Sequence, residues 1–405
     1  MMKLLAPILM LLLVPLVKAE TIVAYGDLVH TMAGEPIRDG YVLIRDGQII
    51  AVGQAQEYAP DGSETVLKST VITPGLVDAR TCVGLAGHLN TKHDRDELDR
   101  GAPLQPHLRA LDAYNSQERL VEWVRGFGVT TVHTGHAPEA LVSGQTMIVK
   151  TTGNRVDDIT LKPVAMISCS MSDTAIHEDN PGTRAKASAI LRQKLLDTRN
   201  YMQKRAQASE EGDDTAPEKR NLELESLSTV LTGETPLLIH AHKARDIANA
   251  LRLQQEFDIR VVLDGASESY MLVDEIKQAG IPVFIHPTMI RPYGERENLS
   301  FETAAKLIEA GIPVAMQSGY ESYVPRTRVV LYEAGMAAAN GCEFDDALAM
   351  ITITPARILG IDDRVGSIEV GKDGDLAMYD GDPFEWTTHC TGVVIDGEVV
   401  ANTPR

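Results

Sequence analysis

The chain has 405 residues, 44% of them hydrophobic, with 38 basic against 57 acidic side chains and a formal net charge of −19. Such a length excludes a single small core and fits one large domain with an accessory one. The acidic balance repels phosphate backbones and anionic lipid surfaces at long range, which argues against nucleic acid as a partner.

Residues 1–19 follow the three-part plan of a secretory signal: Met1-Met2-Lys3, an apolar run from Leu4 to Val17, and Val17-Lys18-Ala19 ahead of Glu20. The run is short for crossing about 30 Å of hydrocarbon and contains Pro7 and Pro15, so removal is expected rather than a stable membrane anchor. No cysteine near the cut offers a lipid attachment. The mature chain, at net −21 after loss of Lys3 and Lys18, is expected to be periplasmic or secreted.

From Thr21 to Ile72, short β-rich runs alternate with turn residues. Val42–Ile50 is two strands joined by Asp46-Gly47, a dipeptide that accepts the positive φ of a type I′ hairpin turn. The signal returns near the C-terminus, where Val393–Ile395 and Glu398–Val400 flank Asp396-Gly397. Residues 20–72 and 361–405 are therefore expected to build one small β-sandwich from both chain ends.

The segment 73–360 has another rhythm. Its loop Gly87–Asn115 carries His88, His93 and His107 among many charges and reads either as a lid or as a solvated insertion. Ser116–Phe127, with Leu120, Trp123, Val124 and Phe127 at helical spacing, reads as a helix packed on the core. Ala279-Gly280-Ile281-Pro282-Val283 recurs as Ala310-Gly311-Ile312-Pro313-Val314, each time after a helical pattern and before an apolar run. Glycine suits the left-handed residue that closes a helix, and the β-branched run suits a buried parallel strand. This unit predicts an α/β fold, a (β/α)8 TIM-like barrel with strands centred on Leu76, Val132, Ile148, Ala165, Leu238, Val262, Phe284 and Ala315. A long helix from Arg184 to Ala206 and an acidic loop, Ser209–Asp214, fall between the fourth and fifth.

Barrel chemistry sits at the carboxyl ends of the strands. There the apolar runs end in Arg80 and Cys82, in His133 with His136 beyond, in His240-Ala241-His242, and in Asp264, His286 and Gln317. Residues i and i+2 of a strand share a face, so His240 pairs with His242 and Arg80 with Cys82. Neutral imidazole is a common ligand for divalent metal, which makes His240, His242, His286 and His133 the candidate ligands. A lone histidine at a strand end is as readily a hydrogen-bonded structural residue; two imidazoles on one face are harder to bury without a task. Cys82 is either a buried inert thiol or a nucleophile whose pKa Arg80 would lower. Arg80 either holds a substrate carboxylate or pairs with Asp78. Cys82, Cys169, Cys342 and Cys390 show no CxxC spacing, so neither a zinc ribbon nor a disulfide framework is written here.

Val71-Ile72-Thr73-Pro74-Gly75-Leu76-Val77-Asp78, Thr354-Pro355-Ala356-Arg357-Ile358-Leu359-Gly360 and the run Gly366–Leu376, taken in order, resemble the amidohydrolase superfamily, in particular exported imidazolonepropionase-like amidohydrolases and dipeptidases. The resemblance covers nearly all of the mature chain. It implies a (β/α)8 barrel holding one or two divalent metals, usually zinc, that activate water against an amide or related C–N bond. The family's strand-one histidine pair falls on Arg80 and Cys82, and its strand-five histidine on His240. Its strand-six histidine falls near Asp264 or Gly265, its strand-eight aspartate near Gly319, and its fourth-strand lysine has no counterpart in Val164–Ser168.

Two expectations follow. The first is a hydrolase of C–N bonds in a small molecule, with a degenerate or rearranged metal site on His240, His242 and His286 or His133, Asp264 as proton acceptor and Arg80 orienting the substrate. Its metal-free form would use Cys82 as nucleophile. The second is a catalytically inactive amidohydrolase-fold protein that binds a small molecule. The cofactor is accordingly one divalent metal, zinc in the first place, or none.

Overall fold

The computed structural model describes residues 21–89, 91–176, 181–210, 219–285, 292–320 and 329–405. The expected signal segment, the acidic tip after Glu210 and His286 lie outside them. Strands β1 (Thr21–Val29), β2 (Ile37–Arg45), β3 (Gln48–Gln54) and β4 (Thr65–Pro74) open the fold. The β2–β3 turn is made by Asp46 at φ 50 and Gly47 at φ 81, the left-handed pair that a type I′ turn demands.

Ten strands follow in the long middle segment: β5 (Leu76–Thr81), β6 (Val129–Thr134), β7 (Val142–Gln145), β8 (Met147–Lys150), β9 (Thr160–Lys162), β10 (Ile167–Ser170), β11 (Leu237–Ala241), β12 (Val261–Gly265), β13 (Val283–Ile285) and β14 (Val314–Met316). They form a six-stranded sheet in the order β14-β13-β12-β11-β10-β7 and a four-stranded sheet in the order β5-β6-β8-β9. From β10 to β14 every neighbour is parallel. The repeat read at Gly280 and Gly311 is real: φ is 65 and 79 at the two glycines, each ends a helix (Val273–Ala279 and Thr303–Glu309), and β13 or β14 begins three residues later.

The architecture is a TIM-barrel-like α/β fold with mixed sheets. The third position departs from the expected parallel strand, because β7 runs antiparallel to β10 and β8 antiparallel to β6. Thr146, between β7 and β8, ties this reversed segment in place: its N–H donates to Met166 O at 2.8 Å and its hydroxyl meets the ring of His133 at 2.6 Å. Where β5 meets the other sheet, contact is an isolated bridge from Thr81 to Gly319, with Gly319 N donating to Arg80 O at 2.9 Å, and no continuous ladder joins the two sheets among the described residues. Val77, Leu238, Val262, Phe284 and Ala315 nonetheless meet in one buried cluster. That cluster is the floor on which the polar strand ends stand.

Strands β15 (Leu376–Tyr379), β16 (Cys390–Ile395) and β17 (Glu398–Ala401) return to the first sheet and give it seven strands, in the order β17-β16-β15-β4-β1-β2-β3. Their turn repeats the left-handed pair, Asp396 at φ 49 and Gly397 at φ 76. The two turns pack together: a Cβ on Gly397 would lie 2.9 Å from the Cα of Gly47, so glycine is needed for contact as well as for φ. All four cysteines are free and buried. Among the described residues no helix is long and apolar enough to cross a membrane.

Candidate active site

Leu237, Leu238 and Ile239 are fully buried, and the strand they drive into the core delivers His240 to its upper end. On the neighbouring β12 the register sets His240 opposite Asp264 and Ala241 opposite Gly265. His240 and Asp264 each stand two residues beyond a floor residue, Leu238 and Val262, so alternation turns both toward the interior above that floor. Their side chains meet, His240 Nδ1 to Asp264 Oδ2 at 3.0 Å, with the carboxylate 4% and the imidazole 14% exposed. An ionised carboxylate only accepts, so Nδ1 is the donor of this contact, and Nε2 is the atom that carries the lone pair in the neutral form of the ring.

Gln317, two residues beyond Ala315, completes the arrangement. Its Nε2 donates to the other oxygen of Asp264 at 2.6 Å and to Phe284 O at 2.9 Å. Burial opposes the charge on Asp264, but His240, Arg80 and Gln317 outweigh it and hold the carboxyl well below the usual carboxylate range. Asp264 is therefore a fixed anion.

His242 lies against His240, ring centroids 4.7 Å apart and nearly perpendicular, and its Nδ1 meets Ser267 Oγ at 2.7 Å. The pair read on one strand thus stays together. Both rings turn Cε1 toward Gly265, where a Cβ would sit 2.8 Å from His242 and 3.0 Å from His240; φ there is 83. Glycine at this position makes the space.

Three other candidates fall on the structural side of the alternatives the sequence left open. His133 donates from Nδ1 to Ala79 O at 2.7 Å and receives the Thr146 hydroxyl at Nε2 at 2.6 Å, which leaves no lone pair for a cation. Burial, then the charge of Arg80, pushes this imidazole down to about 3, so it stays neutral. Cys82 is 1% exposed, and burial lifts its thiol to about 12 despite the nearby Arg80, which removes the thiolate a nucleophile needs. Arg80, 3% exposed, donates from one terminal nitrogen to Thr81 O at 2.6 Å and Gly135 O at 3.2 Å, and from the other to His136 O. Asp78 receives the backbone N–H of Arg80 at 3.2 Å and that of Ser318 at 3.0 Å. His286 lies outside the described residues.

Among the described residues no three His, Cys, Asp or Glu side chains converge as a metal site. A catalytic zinc takes three protein ligands; the ring of His240 contacts the Asp264 carboxylate and the ring of His242, and His242 also meets the Ser267 hydroxyl. Among the described residues, which do not include the candidate ligand His286, the donors do not make up the set that such a metal needs. Sequence reasoning passed over Gln317 and Ser267 as partners, although Gln317 closes an apolar run in the same way as Asp264.

The family model for the amidohydrolase family matches residues 239–401. Imidazolonepropionase of Streptococcus pyogenes serotype M12 (strain MGAS2096) is 23% identical over 397 residues, covering 88% of this chain and 89% of that protein. The serotype M1 protein of the same name is 24% identical over 398 residues, with the same coverage. Among solved structures, an amidohydrolase from Thermotoga maritima MSB8 superposes with a TM-score of 0.87 at 29% identity, covering 94% of this chain and all of that one. An adenosine deaminase from Xanthomonas campestris with bound zinc gives 0.56 at 16% identity, covering 94% and 93%.

Proposed function

This chain belongs to the amidohydrolase superfamily, and from that premise we propose that it hydrolyses a C–N bond of a small molecule with His240 as general base and Asp264 as the anion that orients it. One observation carries the reading: the 3.0 Å contact of His240 Nδ1 with a carboxylate that Gln317 pins from its other oxygen. Water at Nε2 would give its proton to the ring as its oxygen adds to the electrophilic carbon. The C–N bond then breaks and the ring returns the proton to the departing nitrogen. General base catalysis of this kind contributes roughly 10²–10⁴-fold. His242 and Gly265 shape the wall beside the base. Export to the periplasm or medium is part of the same reading, supported by the plan of residues 1–19.

The test is a substrate panel of cyclic imidazolones, aminopurine nucleosides, N-acyl amino acids and dipeptides, scored by release of ammonia, amine or carboxylate. Turnover that falls at least 100-fold in His240→Ala, with near-ultraviolet circular dichroism unchanged, supports the assignment. No turnover by the unmutated chain on any member would remove it.

A second reading, an amidohydrolase-fold binding protein, is favoured by one feature: the terminal nitrogens of Arg80 are occupied by main-chain carbonyls. It predicts that a panel member raises the melting temperature by mass action while no product forms.

A further inference from the structure

The sheet built from both chain ends carries apolar side chains on both of its faces. One face holds Ile22, Ala24, Val42, Ile44 and Ile72 in a buried cluster. The other holds a separate cluster of Val23, Tyr41 and Leu43, with Tyr25, Ala51 and Tyr58 packed against it. Beside this second cluster lies a cavity of about 580 Å³, whose lining includes Tyr25, Tyr58, Asp27, Asp39, Lys68 and Val66. That volume is in the range of small-molecule sites, and no residue of the His240 site takes part in the lining.

Strand register builds the cavity. Tyr25 on β1 stands opposite Tyr41 on β2 and opposite Lys68 on β4, so the three form a row across the sheet. Alternation brings Asp27 back to the same face two residues on. Asp27 and Asp39 fall between the pairs Gly26–Gly40 and Leu28–Arg38, one on each strand, and Asp39 takes φ 46. The opposite wall comes from the segment after β3. There Tyr58 stacks on Tyr41 with ring centroids 5.3 Å apart, its carbonyl receives the Tyr25 hydroxyl at 3.0 Å, and its own hydroxyl donates to Glu64. Three contacts hold this ring in place before any ligand arrives, which cuts the ordering cost of binding. Like charges level with each other on adjacent strands, and a residue other than glycine at left-handed φ, each cost stability. Both features belong to the lining of this cavity.

We propose that this cavity is a second binding site, one that takes a short neutral saccharide against Tyr25 and Tyr58. The proposal is independent of the hydrolase reading. The lining decides the class of ligand. Asp27, Asp39 and Lys68 are exposed, and no ion pair joins them to one another or to another described residue. Exposed charges gain little from pairing and are screened by salt, so a ligand selected for its charge has little to hold it here. An anion would also meet two carboxylates, and a cation would meet Lys68. A sugar suffers neither penalty. Its hydroxyls donate to the carboxylates and accept from the ammonium, so they use both signs of charge without bringing one of their own. The C–H face of a pyranose ring packs on an aromatic face, which is the negative side of the ring's quadrupole. Ala59, Pro60 and Val66 supply an apolar margin around the two tyrosines.

The experiment uses the mature full-length chain, titrated by calorimetry with cellotriose, maltotriose and tri-N-acetylchitotriose, and separately with lysine, glycylglycine and choline. At least one trisaccharide is expected to bind with a Kd below about 10 mM, and raising NaCl from about 50 to about 500 mM leaves that Kd within about twofold. Tyr58→Ala weakens binding at least tenfold. Asp27→Ala combined with Lys68→Ala weakens it at least fivefold while the melting temperature stays unchanged. No binding of any trisaccharide overturns the inference. So does tighter binding of lysine, glycylglycine or choline than of every trisaccharide, or trisaccharide binding that the combined Asp27→Ala and Lys68→Ala variant leaves intact. Because Asp27 and Lys68 are exposed, that variant decides the location even where Tyr58→Ala fails to fold. None of these results bears on His240, so the hydrolase reading stands or falls by its own panel.

Discussion

His133 has both ring nitrogens engaged, by a carbonyl and a hydroxyl, whereas His240 engages one with Asp264 and keeps the other. The surroundings, and not the residue type, separate a structural histidine from a chemical one. For His133 this has a consequence in acid. Burial and Arg80 depress its pKa from the ordinary 6.5 to about 3, so the folded state binds fewer protons than the unfolded chain between those values. The stability it contributes is complete above pH 6.5 and is lost as the pH falls toward 3, by roughly 1.4 kcal/mol per unit. Urea midpoints measured from pH 7 to pH 4 should fall with that added slope, and His133→Gln should flatten it. Asp264 invites a separate test. An amide there can present a donor to Nδ1 and favour the wrong tautomer, so Asp264→Asn should lower kcat by about 10³–10⁴ with the fold retained by circular dichroism. At Cys82 the thiol lifted to about 12 should leave native protein unlabelled by iodoacetamide at pH 8, as peptide mass mapping would show.

Strand and turn explain how much could be read beforehand. The two Asp-Gly hairpins and the helix-closing glycines were legible because each asks for a positive φ that few residues accept, and the structure places all of them there. The grouping of His240, Asp264 and Gln317 was legible in part, because each stands two residues beyond a buried floor residue and alternation turns such positions to the same side. Direction was not. An apolar run such as Met147–Lys150 has the same composition whichever way it runs, and only its pairing with β6, antiparallel from Thr131 to Thr134, shows that the third position is reversed. Partnership was equally hidden: His240 and Asp264 are neighbours only because β11 and β12 fall into that register, and a shift by one residue would have separated them. Gly265 is the most exacting point of this pair of strands. A methyl there would press on both imidazoles, and the backbone sits at φ 83. Gly265→Ala should destabilise the protein by about 1–3 kcal/mol and lower kcat more than tenfold by turning His240. Thermal melts and kinetics on the same preparation would separate the two effects.

The sheet built from both chain ends is joined to the rest of the molecule by a buried charge cluster that nothing in the sequence announced. Lys150, at the end of β8, is 1% exposed, and its Nζ lies 2.6 Å from Asp375, 3.0 Å from Asp373 and 3.1 Å from Asp396. The lysine looked like the polar end of a strand, and its partners follow more than two hundred residues later. Burial alone would lower the ammonium's pKa, but Asp375, Asp396 and Asp373 outweigh it and raise it above the ordinary 10.5. Burial also works against the charge on Asp375, whose pKa is raised despite Lys150. The cluster is therefore of small net benefit compared with an apolar contact, but breaking one side of it is expensive. Lys150→Met should destabilise by about 3–5 kcal/mol, because two buried carboxylates lose their counter-charge. The intact lysine has a raised folded pKa, so its contribution is whole below 10.5 and is lost as the pH rises through the folded value. Chemical denaturation between pH 8 and pH 11.5 should accordingly show the native chain losing stability at the alkaline end and the variant starting lower with a flatter profile. Parallel profiles for the two proteins would mean that Lys150 is not what fastens the sheet to the barrel-like body.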